Sequence, residues 1–533
     1  MSPTQEQTSS SSAPGRHADP SGGFPALEPA WQQKLWLLAT GWFLLNAITQ
    51  RLLSDTAETD QAAELVRSQF WQWGYGSQPP LYTWLAKLAL DLTGPALWPL
   101  QALKVGLLSA LVASVLEICR RLRFSQAQTW IAVAGLVLIP QFAWESQRDL
   151  THSVLATVMA SLTLLLWLRV AADPSPLNYI LVGTVSAGGL LSKYNFAIFL
   201  VGLLLVSLSL PTFRRHLLSP KILLAMAIGL LLLAPHLHWA LSQPDMALSG
   251  LEKLRSGQSS PAPQLQGLGS AILNAIGFLT PLWIVGLVLV SRRPHGPGNA
   301  GQQLLCRLPL AIAVVLVLVI LVTGATRIKD RWYQSLLFYA PVLLAVLAGP
   351  SPPRRRLQSY LQACGLAAVV VSVALPARIV LAGVLQRTSA LNAPILTLLE
   401  RIKGGQAAPV LVITSDSFIA GNARRVFPQV PILPARHHTA LQSLFQHQQN
   451  LQGSVLLIAS AEAKRGRGFG GLLENLATAG LQGPDAELFT PISAPSLWAP
   501  REPYALFIHA MDVQELLGDG QSRRQLSAGE AVR

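Results

Sequence analysis

The chain reads as a polytopic α-helical membrane protein that carries a small soluble α/β domain near its C-terminus. Three observations predict this. Of 533 residues, 51% are hydrophobic and only 12% charged, where soluble domains carry about 25% charged residues. The apolar residues fall into runs long enough to span a bilayer, which takes roughly 20 residues. After about residue 390 the runs shorten and turn signals separate them.

By the length criterion there are about eleven spans. They lie near 33–50, 96–117, 126–144, 151–170, 177–193, 195–212, 221–241, 268–291, 308–326, 333–350 and 358–384. The division at 193–195 is the least marked, because only Ser192-Lys193-Tyr194-Asn195 separates two apolar runs. The chain divides into a polar tail (1–30), a transmembrane domain (31–386), an α/β domain (387–516) and a second polar tail (517–533). Residues 1–30 are rich in Ser, Pro, Gly and Gln. They cannot bury a core and are expected to be disordered. They lack the basic and apolar regions of a cleavable signal peptide, so the first span is expected to be retained.

The formal net charge of +14 could suggest nucleic acid. The basic residues lie instead in short loops: Arg120-Arg121-Leu122-Arg123, Arg169, Arg214-Arg215, Arg292-Arg293 and Arg354-Arg355-Arg356. With a cytoplasmic N-terminus these loops share one side, as the positive-inside bias requires. No nucleic-acid partner is expected. The opposite, periplasmic side then receives 51–95, 145–150, 242–267, 327–332 and the chain after about 385. Cys119, Cys306 and Cys364 are scattered without metal-ligand spacing, and a disulfide framework is not expected.

The α/β domain rests on two short apolar runs, 409–416 and 454–460, with a helix-like stretch between them. Each is too short to span and reads as a buried parallel strand.

Candidate chemistry lies on the periplasmic side. The stretch 54–85 holds Asp55, Glu58, Asp60 and Glu64, followed by Trp73-Gly74-Tyr75 and Gln78-Pro79-Pro80. On residue type alone these carboxylates read first as a solvated loop, and chemistry does not separate Asp60 from Asp55 or Glu58. Arg148-Asp149-Leu150-Thr151-His152 opens the fourth span. Asp149 and His152 are three apart and would share a helix face. The plainer reading is a helix N-terminus favoured by an acid. Two ligands do not make a metal site, and none is predicted.

Lys193-Tyr194 and the stretch Arg327–Trp332, with Lys329 and Arg331, put positive charge on the external side. They could hold a phosphate at the membrane surface or snorkel to headgroups. The orientation bias disfavours cations there, which calls for a reason. His236 and His238 are two apart and do not share a helix face. Gly188-Gly189 reads as a packing feature. There is no Walker, HExxH or GxSxG motif, so nucleotide-driven transport and hydrolase readings lose support.

Asp60, then Gly74 fourteen residues on within Trp73-Gly74-Tyr75, then Gln78-Pro79-Pro80-Leu81, resembles the first external loop of GT-C-fold glycosyltransferases of family 39. That family contains the dolichyl-phosphate-mannose protein mannosyltransferases. Its bacterial relatives include lipid A aminoarabinose and galacturonosyl transferases. Asp149, the Gly189-Leu190-Leu191-Ser192-Lys193-Tyr194 segment and Lys329 to Trp332 continue the resemblance in the same order, over roughly residues 35–345. Relatives often carry Asp-Glu where this chain has Asp60-Gln61, so a role of the missing Glu would fall to Glu58 or Glu64, or is not needed.

The resemblance implies a GT-C-like membrane glycosyltransferase in the bacterial inner membrane with its active face periplasmic. The implied partners are a polyprenyl-phosphate sugar donor, a lipid or glycan acceptor such as lipopolysaccharide (or a protein), and membrane lipids. It implies an inverting transfer with Asp60 as base and Asp149 orienting the acceptor or supporting Asp60. Lys193 and Arg331, joined by Arg148, would stabilise the leaving phosphate. Tyr75, Gln78, His152, Tyr194, Lys329 and Trp332 complete the implied substrate site. No cofactor is certain; a divalent metal is possible. The competing class is a transporter or flippase of a polyprenyl-linked glycan, which would show inverted repeats and charges near the bilayer midplane.

Overall fold

The computed structural model describes residues 30–149, 151–255, 262–290, 298–447, 451–461 and 468–518. The expected polar tails, apart from their innermost residues, and the Arg292-Arg293 loop lie outside the described residues.

The N-terminal two-thirds is a helical bundle. Six helices are long and apolar enough to cross a membrane: Leu97–Arg121, His152–Ala172, Ile222–Ser242, Pro263–Gly286, Ala300–Thr323 and Arg354–Val380. The count among the described residues rises to nine if each of three bent pairs is one span. Helices Ala30–Leu53 and Pro176–Ser192 occupy the other two expected positions. A count of eleven therefore depends on including these two. Pro176–Ser192 has 17 residues, about 26 Å at 1.5 Å per residue, short for a bilayer core of about 30 Å.

Three of the expected spans are bent. Gln126–Leu138 and Gln141–Arg148 meet at 69°, Phe196–Ser209 and Pro211–Leu217 at 115°, and Asp330–Leu336 and Ala340–Ala348 at 59°. Pro140 and Pro211 stand at two of these breaks, where a ring without an N–H cannot continue the helical hydrogen bonding. Ile222–Ser242 exposes Leu223, Leu230, Leu231 and Leu241. A helix apolar on its outer face suits lipid rather than water.

The break at 193–195 is real, with Lys193 ending one helix and Phe196 starting the next. Gly189 allows the second helix to fold back closely. A Cβ there would stand 2.4 Å from the Phe196 ring, which bears out its reading as a packing residue.

The stretch 54–95 is more ordered than a solvated loop. It contains helices Thr59–Arg67 and Leu81–Thr93. The first buries Ala62 and Leu65 against Tyr82, Leu100 and Leu155 of the bundle. Val66 on the same helix joins the C-terminal core with Leu398, Ile419 and Ile432.

The C-terminal part is an α/β structure around a five-stranded sheet. Its strands are β1 (Leu411–Thr414), β2 (Ile432–Pro434), β3 (Ser454–Ser460), β4 (Thr490–Ser496) and β5 (Ala499–Asp512), in the order β2-β1-β3-β5-β4. β1 pairs in parallel with β2 and β3, while β5 is antiparallel to β3 and β4. The two strands expected from sequence are adjacent here. Val412 and Leu456 face one apolar core, and Leu411, Ile413 and Leu457 face the other. Burial on both faces explains why these strands read as continuous apolar runs.

Candidate active site

Asp60 lies in the first turn of Thr59–Arg67, whose N-cap is Glu58. Glu58 and Gln61 form a reciprocal capping box. The Asp60 N–H is left without an intrahelical partner, as first-turn amides are. It donates to both oxygens of Asp149, at 3.0 and 3.2 Å. The Gln61 N–H reaches Asp149 Oδ1 at 3.4 Å. An acid at a helix N-terminus is favoured by the exposed amides and the helix dipole. Asp149 therefore supplies that acid from 89 residues away in sequence.

This corrects the expectation for Asp149 and His152. Asp149 ends the short Ser146–Arg148 helix, and the next helix begins at His152 behind Thr151. The two side chains do not share a helix face. His152 is buried, and its Nε2 lies 3.0 Å from Glu64 Oε1. Glu64 is fully buried, accepts from Thr83 Oγ1 at 2.8 Å and pairs with Arg67. Burial alone would raise the Glu64 pKa; the charges of His152 and Arg67 and the hydrogen bonds outweigh it and hold the carboxyl at about 2. Glu64 thus ties the Asp60 helix to the bundle, and Glu58 is tied by Arg378.

Three segments close on Asp60 around a cavity of about 320 Å³. The first is the helix start itself. The second is the bend that carries Glu145, Arg148 and Asp149, and the third is the Arg327–Arg331 loop. Asn274 also lines the cavity. Arg331 Nη1 stands 3.9 Å from Asp60 Oδ2. Arg148 pairs with Glu145 at 2.9 Å.

The bend is wound as a π-helix over Gln141–Glu145, a geometry common at functional sites. It is latched to the third segment. Gln141 Nε2 donates to Asp330 Oδ2 at 3.1 Å, and Gln334 Nε2 donates to Ser146 Oγ at 2.6 Å. Asn274 Nδ2 donates to the Ile328 carbonyl at 2.8 Å.

Lys193 follows its helix end, and its Nζ donates to Ser153 Oγ at 2.5 Å. Its neighbour Asn195 donates to the Trp332 carbonyl at 3.2 Å, which brings the Lys193 turn beside the Arg331 loop. Loss of water, then the Arg331 charge, pushes the Lys193 ammonium down to about 7. Burial, then the charges of Asp60 and Glu58, pushes Asp149 up to about 7.

Other expected site residues stand elsewhere. Tyr75 is buried, its hydroxyl donating to the Phe70 carbonyl at 2.7 Å and accepting from the Gln72 N–H at 3.1 Å. Its backbone pairs with that of Gln78. The two close the Trp73–Pro79 turn and do not line the cavity. Tyr194 stacks on His236, whose Nε2 lies 3.2 Å from the phenol oxygen. The other ring nitrogen of His236 donates to the Trp73 carbonyl at 2.6 Å. His236 and Tyr194 therefore brace the same turn. Trp332 contributes its carbonyl to Asn195 rather than its ring to the cavity.

Sequence reasoning passed over Glu145 and Asn274 in the cavity wall, and Lys104. Lys104 is buried in the Leu97–Arg121 helix, within electrostatic reach of Asp149, Glu58 and Asp60. A lysine inside an apolar span is itself a signal and could have found it.

The donor set does not fit a divalent metal. Both Asp149 oxygens are turned to backbone N–H groups. Among the described residues no three His, Cys, Asp or Glu side chains converge to hold an ion.

A helical membrane scaffold with a charged cavity at the ends of its helices, below an α/β domain, defines the class. The fold is shared with ArnT from Cupriavidus metallidurans bound to undecaprenyl phosphate. The TM-score is 0.56 at 12% identity, covering 90% of this chain and 97% of that one. The family described as dolichyl-phosphate-mannose-protein mannosyltransferase matches residues 77–239. The lipopolysaccharide core galacturonosyltransferase RgtB of Rhizobium johnstonii is 32% identical over 409 residues, 75% of this chain and 83% of the relative. RgtA of the same organism is 31% identical over 406 residues, 74% of this chain and 81% of the relative. The chain belongs to the GT-C-fold glycosyltransferase family of the dolichyl-phosphate-mannose-protein mannosyltransferases and the lipopolysaccharide core galacturonosyltransferases. It is a multi-pass membrane glycosyltransferase, and the transporter alternative falls away.

Proposed function

We propose that this enzyme moves a sugar from a polyprenyl-phosphate donor to a hydroxyl of a lipopolysaccharide or related glycan acceptor. The reaction takes place on the periplasmic face of the bacterial inner membrane. The relatives' names support the acceptor class, and the undecaprenyl phosphate in the ArnT structure supports the donor class. The one-sided arginine clusters support the orientation. In that orientation, residues 31–386 form the catalytic membrane domain and 387–516 a periplasmic domain.

One observation carries the assignment of roles. The partly exposed Asp60 carboxylate faces the cavity with Arg331 at 3.9 Å, while its own backbone N–H is held by Asp149. A carboxylate so held can accept a proton from an acceptor hydroxyl. The hydroxyl oxygen attacks the anomeric carbon and the bond to the phosphate oxygen breaks. The electron pair leaves with the phosphate, and the anomeric configuration inverts. Arg331, Lys329 and Arg148 in the cavity wall, with Lys193 behind them, stabilise the charge that grows on that phosphate. Donor activation resides in the phosphate ester, so no nucleotide motif is needed.

The test is transfer from a short-chain polyprenyl-phosphate sugar to lipopolysaccharide in membranes, at matched expression. General-base assistance contributes about 10²–10⁴-fold, so Asp60→Asn should lose at least that factor. Asp55→Asn should keep most of the rate, because Asp55 is exposed and pairs with Arg425 at 2.7 Å, outside the cavity wall. Wild-type rate with Asp60→Asn would remove Asp60 as the base.

A further inference from the structure

The Asp60 helix is gripped by the C-terminal α/β part at both ends and in the middle. Ahead of the helix, the Ala57 N–H donates to Asn422 Oδ1 at 3.0 Å. Asn422 is fully buried, and its own Nδ2 donates to the Phe418 carbonyl at 2.9 Å, which fixes the amide's orientation. Behind the helix, the Gln69 side chain donates to the Ile432 carbonyl at 2.8 Å and accepts the Ile432 N–H at 2.9 Å. Its amide pairs with edge strand β2 as another strand residue would.

Between these anchors the Ser417–Val426 helix crosses the Asp60 helix at Gly421. A Cβ on Gly421 would lie 2.1 Å from the Ala62 carbonyl oxygen and 2.4 Å from its Cα. Those are backbone atoms, so no rotamer change relieves the contact. Reaching an allowed separation of 3.0 Å would move one helix by about 1 Å. Ala62 is two residues beyond Asp60 on a nine-residue helix. A rigid shift there carries Asp60 with it.

We infer that Gly421 and Asn422 are positioning residues for Asp60: the C-terminal α/β part sets the seat of the Asp60 helix against Asp149 and Arg331. This rests on reading Asp60 as the base. A misplacement of about 1 Å can cost about 10²-fold in rate without touching the donor's binding groups. Plain packing predicts something else, namely less folded enzyme with an unchanged rate per folded molecule.

The experiment uses the full chain in detergent and compares Gly421→Ala, Asn422→Ala and the control Gly470→Ala. Gly470 sits in the same α/β part, and a Cβ there meets nothing within 4 Å. Two quantities are read per folded molecule: kcat with donor KM, and amide hydrogen exchange of the peptide covering 59–62 by mass spectrometry. We expect about a hundredfold lower kcat for Gly421→Ala and about tenfold for Asn422→Ala, with donor KM within about twofold. Exchange over 59–62 should speed up in both and stay at wild type in Gly470→Ala. If Gly421→Ala does not fold, Asn422→Ala carries the test. Wild-type kcat and wild-type exchange in folded Asn422→Ala would overturn the proposal. Faster exchange with wild-type kcat would reduce the contact to plain packing and overturn the positioning proposal, whereas the reading of Asp60 as the base stands or falls separately with Asp60→Asn.

Discussion

The Asp149 carboxylate caps the helix that carries Asp60, its two oxygens 3.0 and 3.2 Å from the Asp60 backbone nitrogen. One acid therefore holds the backbone of the other. Both acids line the cavity; Asp60 meets Arg331 there, while the Asp149 oxygens meet the amides of the helix terminus. We propose that Asp149, which also lines the cavity, acts as a positioning residue for Asp60.

Replacing Asp149 should reveal this role. Losing an N-terminal capping acid costs about 0.5–2 kcal/mol, and each 1.36 kcal/mol off the transition state is about tenfold in rate. Asp149→Ala should lower kcat by roughly three- to thirtyfold. Asp149→Asn, which keeps an acceptor oxygen, should fall less. Steady-state kinetics at saturating donor would check this; an equal loss in both variants would show that the charge, not the cap, matters.

Arg331→Ala and Lys193→Ala should act on the donor. Contacts of this charge-assisted kind are worth about 1.5–3 kcal/mol, so each substitution should weaken donor use by about ten- to a hundredfold. Competition by undecaprenyl phosphate, read as an inhibition constant, would separate binding from chemistry. Unchanged inhibition with both substitutions combined would take them out of the phosphate site.

The pH profile should be bell-shaped in kcat/KM for the donor. Asp149, pushed up to about 7, loses its negative charge as pH falls through that value and caps the Asp60 helix less well. Lys193, pushed down to about 7, loses its positive charge as pH rises through the same value and holds phosphate less well. The acid limb thus belongs to Asp149 and the basic limb to Lys193. Lys193→Arg, with a guanidinium that stays charged, should flatten the basic limb alone, whatever it does to the maximum rate. A profile with no basic limb in the wild type would contradict the assignment.

Glu64 should matter for stability before it matters for rate. Removing one partner of a buried charged network costs about 3–5 kcal/mol, and Glu64 is fully buried against His152, Thr83 and Arg67. Glu64→Gln should lower the melting temperature in detergent at neutral pH. The sign with pH follows from the lowered pKa. The stabilisation is present above the ordinary carboxylate range and is lost as pH falls towards about 2. A wild-type melting temperature at pH 7 would show that Glu64 is not a fastening of the Asp60 helix.

The membrane class, the approximate spans, the α/β end and the family are legible in the chain alone, because these depend on composition and local pattern. A run of Leu and Val must leave water wherever it sits in the chain, and strands 411–414 and 454–460 are apolar because both faces of the sheet are covered. The sequence also pointed to the segments that line the cavity: Asp60, Arg148-Asp149 and Lys329 with Arg331. Which partner each of these residues meets emerges only once the helices pack. The tertiary structure turned Asp149 from the start of its own span to the end of another helix. It set His152 against Glu64, closed the Trp73 turn with Tyr75 and His236, and braced the Asp60 helix with Gly421 and Asn422. Those partners are 5 to 365 residues apart in the chain. A hydrogen bond depends on angles and on distances to a few tenths of an ångström. When the partners are brought together by helix packing rather than by chain neighbourhood, no local pattern records which donor meets which acceptor.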